Sequence, residues 1–183
     1  VRCLSLLLAL LLASCAALRP APPPTPQELP PLWLSPAAFG SSVQLAQRLL
    51  VEAGGTRHGL DALLEIDPQQ VQLAGLVGGR RVVTLRYDGG TPTVDRIAGL
   101  PAVIDEHRVL RDLQLTYWPA EAVRGALPAG WTLAEEPGAR RLYREGQVTI
   151  EIRYGGQPRW LGHTEFDNLQ QHYRLLIDSV SAE

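Results

Sequence analysis

The sequence predicts an α+β fold, an antiparallel sheet closed by one or two amphipathic helices. Three observations carry this. Alternating apolar and polar runs occupy positions 42–98, with turn signals every ten residues or so. The apolar spacing changes to threes and fours between Leu100 and Tyr117. After Gly130 it returns to a period of two.

In the first run, Val43, Leu45, Leu49 and Val51 share one parity, which supports a strand; a helix is an alternative for this stretch. Gly54-Gly55 turns the chain, and Leu60, Ala62, Leu64 and Ile66 then alternate over 58–66. Asp67-Pro68 is a turn pair. Strands over 71–77 and 81–87 flank Gly78-Gly79, and 93–98 adds a short one after Gly89-Gly90. Together these predict an antiparallel meander with one apolar and one polar face.

From Leu100 the pattern is that of an amphipathic helix with Pro101 in its first turn. Val103, Ile104, His107, Leu110, Leu113 and Tyr117 form the apolar side; Asp105, Glu106, Arg108, Arg111 and Asp112 form the other. Trp118-Pro119 interrupts, and 120–127 reads as a second short helix ending before Pro128. Trp131-Thr132-Leu133 leads into a hairpin, 141–144 against 147–154, turning at Glu145-Gly146. A single last strand is expected over 166–180.

Ahead of this domain, the apolar residues 4–11 run into Leu12-Ala13-Ser14-Cys15. The run is too short for a bilayer span, which needs about 20 apolar residues. Arg2, a short apolar core and small residues at its end fit an export signal. Small residues before a cysteine resemble a bacterial lipobox, which implies cleavage before Cys15 and diacylglycerol on its sulfur. An ordinary secretory leader cut elsewhere is the alternative. The expected organisation is a signal peptide over 1–14, an acylated cysteine with a proline-rich tether over 15–40, and one globular domain over 41–183. The proline density of 18–36 removes amide donors and favours polyproline II geometry. Ala16, rather than aspartate, after Cys15 implies by the same resemblance a site at the periplasmic face of the outer membrane.

The chain has 183 residues, a net charge of −2 and two cysteines, Cys3 and Cys15. With Cys3 in the leader, Cys15 has no partner for a disulfide and no second thiolate for a zinc site. Every basic residue is arginine, but the balance is near neutral, which argues against a nucleic-acid partner. His58, His107, His163 and His172 are scattered without metal-ligand spacing. No serine stands in a Gly-x-Ser-x-Gly elbow, and Gly75-Leu76-Val77-Gly78-Gly79 lacks the lysine of a phosphate loop. No catalytic set, metal or cofactor is therefore expected, and the chain reads as a non-enzyme.

The order of lipobox, proline tether, meander, helix, Tyr117-Trp118, Arg124-Gly125-Ala126-Leu127-Pro128, Gly130-Trp131 and late hairpin resembles the outer-membrane lipoprotein receptors of the LolB family and their carrier relatives. The stretches 43–49, 110–119 and Gly130-Trp131 are also similar to an uncharacterised lipoprotein family of bacterial aryl-polyene gene clusters. The resemblance implies a curled half-barrel, lidded by helices, that holds a lipid or acyl ligand. It places the receptors' exposed loop leucine at Leu76, with Val77 equally arguable. Leu85, Tyr87, Leu113, Tyr117, Trp118 and Ile152 are further candidates for lining a lipid pocket, and each is also a candidate for plain core. The expected role is an outer-membrane-anchored lipoprotein that binds or transfers a lipid or a lipid-linked aryl polyene. The alternative is a structural or assembly lipoprotein with a filled core.

Overall fold

The computed structural model describes residues 28–97 and 105–182. It is an α+β half-barrel. Five strands come first: β1 (Val43–Ala53), β2 (Thr56–Ile66), β3 (Val71–Val77), β4 (Arg80–Tyr87) and β5 (Thr93–Arg96). Two helices follow, α1 (Glu106–Tyr117) and α2 (Ala120–Ala126). The chain then returns to strands: β6 (Trp131–Glu136), β7 (Ala139–Arg144), β8 (Gln147–Tyr154), β9 (Gly162–Asn168) and β10 (Tyr173–Ser181). All ten form one sheet in the order β5-β4-β3-β2-β1-β10-β9-β8-β7-β6.

This order explains where the helices lie. The first and last strands pair antiparallel at the centre, so the two meanders run outward to opposite edges. The link from β5 to β6 must therefore travel from one edge to the other across one face. Side chains from both halves converge on the helix carried by that link. Gln47 of β1 reaches Tyr117, while Arg140 of β7 and Tyr154 of β8 reach the carbonyls of Leu115 and Thr116. The sheet curls around α1 but is not closed, since β5 and β6 are its two free edges.

The turns follow from the glycine pairs. Gly54 and Gly55 have φ of 56° and 76°, and Gly78 and Gly79 have 58° and 74°. Positive φ at both central residues gives the mirror-image turn whose twist matches that of the flanking strands. For 43–53 the strand reading holds over the helix, because β1 has a partner on each side along its length.

Four expectations change. The stretch 28–40, expected as tether, is part of the folded body: Leu29, Leu32, Leu34 and Phe39 are buried, and Pro36–Phe39 forms a 3-10 turn. Leucines interspersed among its prolines give it an apolar side that a freely solvated tether would leave in water. The described helix α1 begins at Glu106, because Asp105 is an extended N-cap whose carboxylate accepts the His107 and Arg108 amides. Pro101, Val103 and Ile104 lie outside the described residues. The expected polar side of α1 is a solvent face only in part: Asp105 is exposed and Glu106 and Arg108 half-buried, but Arg111 and Asp112 are buried, as are Gln114 and Thr116 beyond them. Finally, the single last strand is a hairpin, β9 and β10. Its turn contains neither glycine nor proline. Asn168 makes it by accepting the Gln171 amide at 2.8 Å, and His172 takes φ of 55°.

Candidate functional site

The interior has three walls. The inner face of the sheet contributes Leu45, Leu64, Ile66, Leu85, Tyr87, Ile150, Ile152 and Phe166. Leu110, Leu115 and Tyr117 come from α1. The third wall is the segment 28–39. It runs alongside α1 from Arg111 to Trp118 and joins the same core through Leu29, Leu32, Leu34 and Phe39.

Each end of this segment is held differently. At its start, Arg111 is nearly fully buried and acts as a hub. Its guanidinium donates to Glu28 at 2.7 Å, the Leu29 carbonyl at 2.9 Å, Asp112 at 3.0 Å and the Tyr173 hydroxyl at 3.1 Å. The Tyr173 hydroxyl donates in turn to Asp112. Arg108 Nε lies 3.6 Å from Glu28. In the middle, Gln114 donates to the Leu34 carbonyl at 2.9 Å and accepts its amide at 3.5 Å. At the far end, Trp118 donates to the Ser35 carbonyl at 3.0 Å, and Phe39 packs on Trp118 and Trp160 with ring centres 5.2 and 5.3 Å apart.

The electrostatics of the hub follow from its burial. Burial would raise the Glu28 carboxyl, but hydrogen bonds from Arg111 and Gln171 and the charges of Arg111 and Arg108 hold it below the usual range. Burial pushes the Asp112 carboxyl up against the pull of Arg111. The Tyr173 hydroxyl is raised by burial and by the Asp112 charge beside it. Arg111 itself stays charged: burial opposes its charge, but the acids around it more than compensate. Chemically, this is a seat for carboxylates on a buried guanidinium fork.

Two clefts adjoin the ends of the segment. One, of about 640 Å³, is lined by Glu135, Tyr154, Pro158, Arg159 and Trp160 among others. The Tyr154 hydroxyl there is pushed up to about 12 by burial. The other, of about 500 Å³, is lined by residues including Glu52, Arg57, Asp167, Tyr173 and Arg174. Trp160 thus links the first cleft to Phe39, and Tyr173 links the second to Arg111.

Of the seven residues the sequence singles out as lipid-contacting, six come together. Leu85, Tyr87, Tyr117, Trp118 and Ile152 are buried in the shared core, with Leu113 half-buried against it. Leu76 stands apart and half-buried near the β3–β4 turn, beside the exposed Val77. None of the seven lines either cleft. Cys15 lies outside the described residues, as do the leader and residues 16–27. The four histidines are exposed. Among the described residues, no group of three or more His, Cys, Asp or Glu is placed to hold a metal ion, and no helix is long and apolar enough to cross a membrane.

Sequence reasoning missed Glu28, Arg111, Asp112 and Tyr173. Arg111 and Asp112 sit at positions that helical periodicity assigns to solvent. The segment 28–39 covers Arg111 from one side, and the β9–β10 hairpin, through Gln171 and Tyr173, meets Arg111 and Asp112 from the other. The available signal was the repeated leucine in the proline-rich stretch, at 29, 32 and 34.

No curated protein matches the chain. Among solved structures, it is similar to a LolA superfamily protein from Nitrosomonas europaea, with 8% identity and a TM-score of 0.44 over 84% of this chain and 93% of that one. A DUF1329 family protein from Desulfovibrio piger is similar at 8% identity and a TM-score of 0.36, over 78% of this chain and 85% of that one. The model of a family described as proteins of unknown function, DUF3261, matches residues 44–181. That span runs from β1 to the end of β10 and takes in both helices. It is well over half of the sequence, and the chain belongs to the DUF3261 family.

Proposed function

We propose that this protein is a non-catalytic lipoprotein, anchored through Cys15 at the periplasmic face of the outer membrane, that binds or hands on a lipid in the half-barrel interior. One observation carries the reading. The apolar inner face of the sheet is larger than its two helices cover, and an irregular segment without strand or helix pairing completes the cover with Leu29, Leu32 and Leu34. An apolar face closed by extended chain, rather than by a packed regular element, is a surface that an acyl chain can also cover. Burial contributes about 0.8 kcal/mol per methylene, so half of a long chain would bind measurably. The resemblance noted in the sequence makes a lipid-linked aryl polyene one candidate ligand.

A second reading has its own observation. Leu85, Tyr87, Tyr117, Trp118 and Ile152 are all fully packed, as in the filled core of a structural or assembly lipoprotein. Mass spectrometry of the full chain carrying Cys15→Ser separates the two. The lipid reading expects a co-purified lipid and a fluorescent fatty acid that unlabelled fatty acid displaces. A protein with neither is the structural lipoprotein. Anchoring is tested by fractionation: Cys15→Ser should leave the outer membrane, and a variant that stays there refutes the anchor.

A further inference from the structure

The segment 28–39 has the layout of a lipid with an acidic head. Glu28 presents a carboxylate to Arg111 at 2.7 Å and to Arg108 at 3.6 Å. Leu29, Leu32, Leu34 and Phe39 follow as an apolar tail along α1. Their four side chains hold about as many carbons as one long acyl chain, so exchanging one for the other leaves the buried apolar area nearly unchanged.

Charge makes the same point at the head. With Glu28 in place, two guanidiniums, Arg108 and Arg111, face two carboxylates, Glu28 and Asp112. Without it, two cations face one anion, with Arg111 and Asp112 buried and Arg108 half-buried. The buried Arg108 Nε has no hydrogen bond of its own and is directed at the place the Glu28 carboxylate occupies. Burying an excess cation is costly unless an anion accompanies it. A ligand that displaces the segment keeps this balance when it brings a negative charge to Arg111. The cleft beside Tyr173 lies next to the head position, and the cleft beside Trp160 lies at the end of the tail.

We propose that residues 28–39 are a resident stand-in for the ligand, and that the site they fill takes an anionic single-chain lipid. Its acid group replaces the Glu28 carboxylate on Arg108 and Arg111, and its acyl chain replaces Leu29, Leu32, Leu34 and Phe39. This rests on the lipid-binding reading above and specifies its site and ligand class. A carboxylate and a phosphate monoester both satisfy the two guanidiniums.

The test uses the full chain carrying Cys15→Ser, titrated with palmitate, hexadecyl phosphate and hexadecanol, which share one chain length. Both anions, or one of them, should bind at least about tenfold tighter than the alcohol, and the tighter anion names the head group. Arg111→Gln should lose that preference; Arg108→Gln, a half-buried position, tests the same point should the first variant fail to fold. Glu28→Gln should bind the anions about tenfold tighter, because the competing segment is released. Hydrogen exchange over 29–39 should rise when palmitate binds. Equal affinity for acid and alcohol would overturn the anionic seat while leaving lipid binding intact. Binding without faster exchange over 29–39 would overturn the stand-in role. No binding of any probe, even to Glu28→Gln, would remove the lipid reading itself.

Discussion

Arg140 illustrates how single residues in this molecule are fixed by demands that no local pattern announces. Its side chain is entirely buried, and its guanidinium donates to the Leu115 carbonyl at 2.5 Å and to Glu135 at 2.7 Å. Carbonyls in the last turn of a helix lack intrahelical donors, and a cation there also meets the negative end of the helix dipole. Tyr154 serves the neighbouring Thr116 carbonyl in the same way, at 2.7 Å. Replacing Arg140 with leucine removes both bonds at once. Urea denaturation should show a loss of about 3 kcal/mol, the lower range for breaking a buried ion pair, since Glu135 keeps Arg159. A second position is set by space alone. A Cβ on Gly156 would collide with the Leu161 carbonyl, which is backbone and cannot step aside. Gly156→Ala should cost about 2–3 kcal/mol, read from the same denaturation curves.

At the scale of elements, the outer face of β7 to β10 is laced by a charge ladder that alternation made partly legible. Arg141, Glu151, Arg153, Glu165, Asp167 and Arg174 occupy outward positions; the strand registers place Arg141 opposite Glu151, Arg153 opposite Glu165 and Arg174 opposite Asp167, and Arg153 bridges the like-charged pair Glu151 and Asp167. Glu165 is the centre. Hydrogen bonds from Arg153 and then Arg174 hold its carboxyl at about 2, below the ordinary 4.5. A depressed carboxyl stabilises the fold above its unfolded value, and that contribution is lost as pH falls through the folded one. The Glu165 share should thus be complete above pH 4.5 and fade towards pH 2. Carbon-detected NMR titration should find this carboxyl titrating near 2, and Arg153→Gln should raise it; a normal midpoint would remove the ladder's role. The β9–β10 hairpin is the element that the pattern concealed. Leu169, Tyr173, Leu175 and Ile177 share odd parity and read as one strand, whereas the buried positions change from even in β9, at Phe166, to odd in β10, at Ile177. The turn is made by the Asn168 side chain, a tertiary-looking bond within a local stretch.

For the whole molecule, the decisive feature is that one face of the sheet is core and the other faces water. Phe166, on the inner face of β9, has no exposed surface, while Leu63, on the outer face of β2, is 45% exposed. Phe166→Ala should therefore cost about 4 kcal/mol, and Leu63→Ala about 0.5 kcal/mol or less. Thermal or urea unfolding that found the two equal would mean the sheet curls the other way. The same asymmetry gives the edge-to-edge helical link its place. It also leaves room for a third layer, the segment 28–39, which the helices alone would leave uncovered.

The one-dimensional pattern determined which stretches are strands and which are helices, because side-chain alternation and helical spacing are local consequences of backbone geometry. Glycine pairs placed most of the turns for the same reason. The lipobox resemblance is local in the same sense, since its reading depends on neighbours in sequence. What the tertiary structure alone decided is which surfaces meet. Arg111 and Asp112 lie on the polar side of a helix by spacing, and they are buried where a segment some eighty residues earlier and a hairpin some sixty residues later meet that side. That contact depends on distance through space, on the pairing of β1 with β10 and on charge balance around Glu28. No window of sequence contains all three.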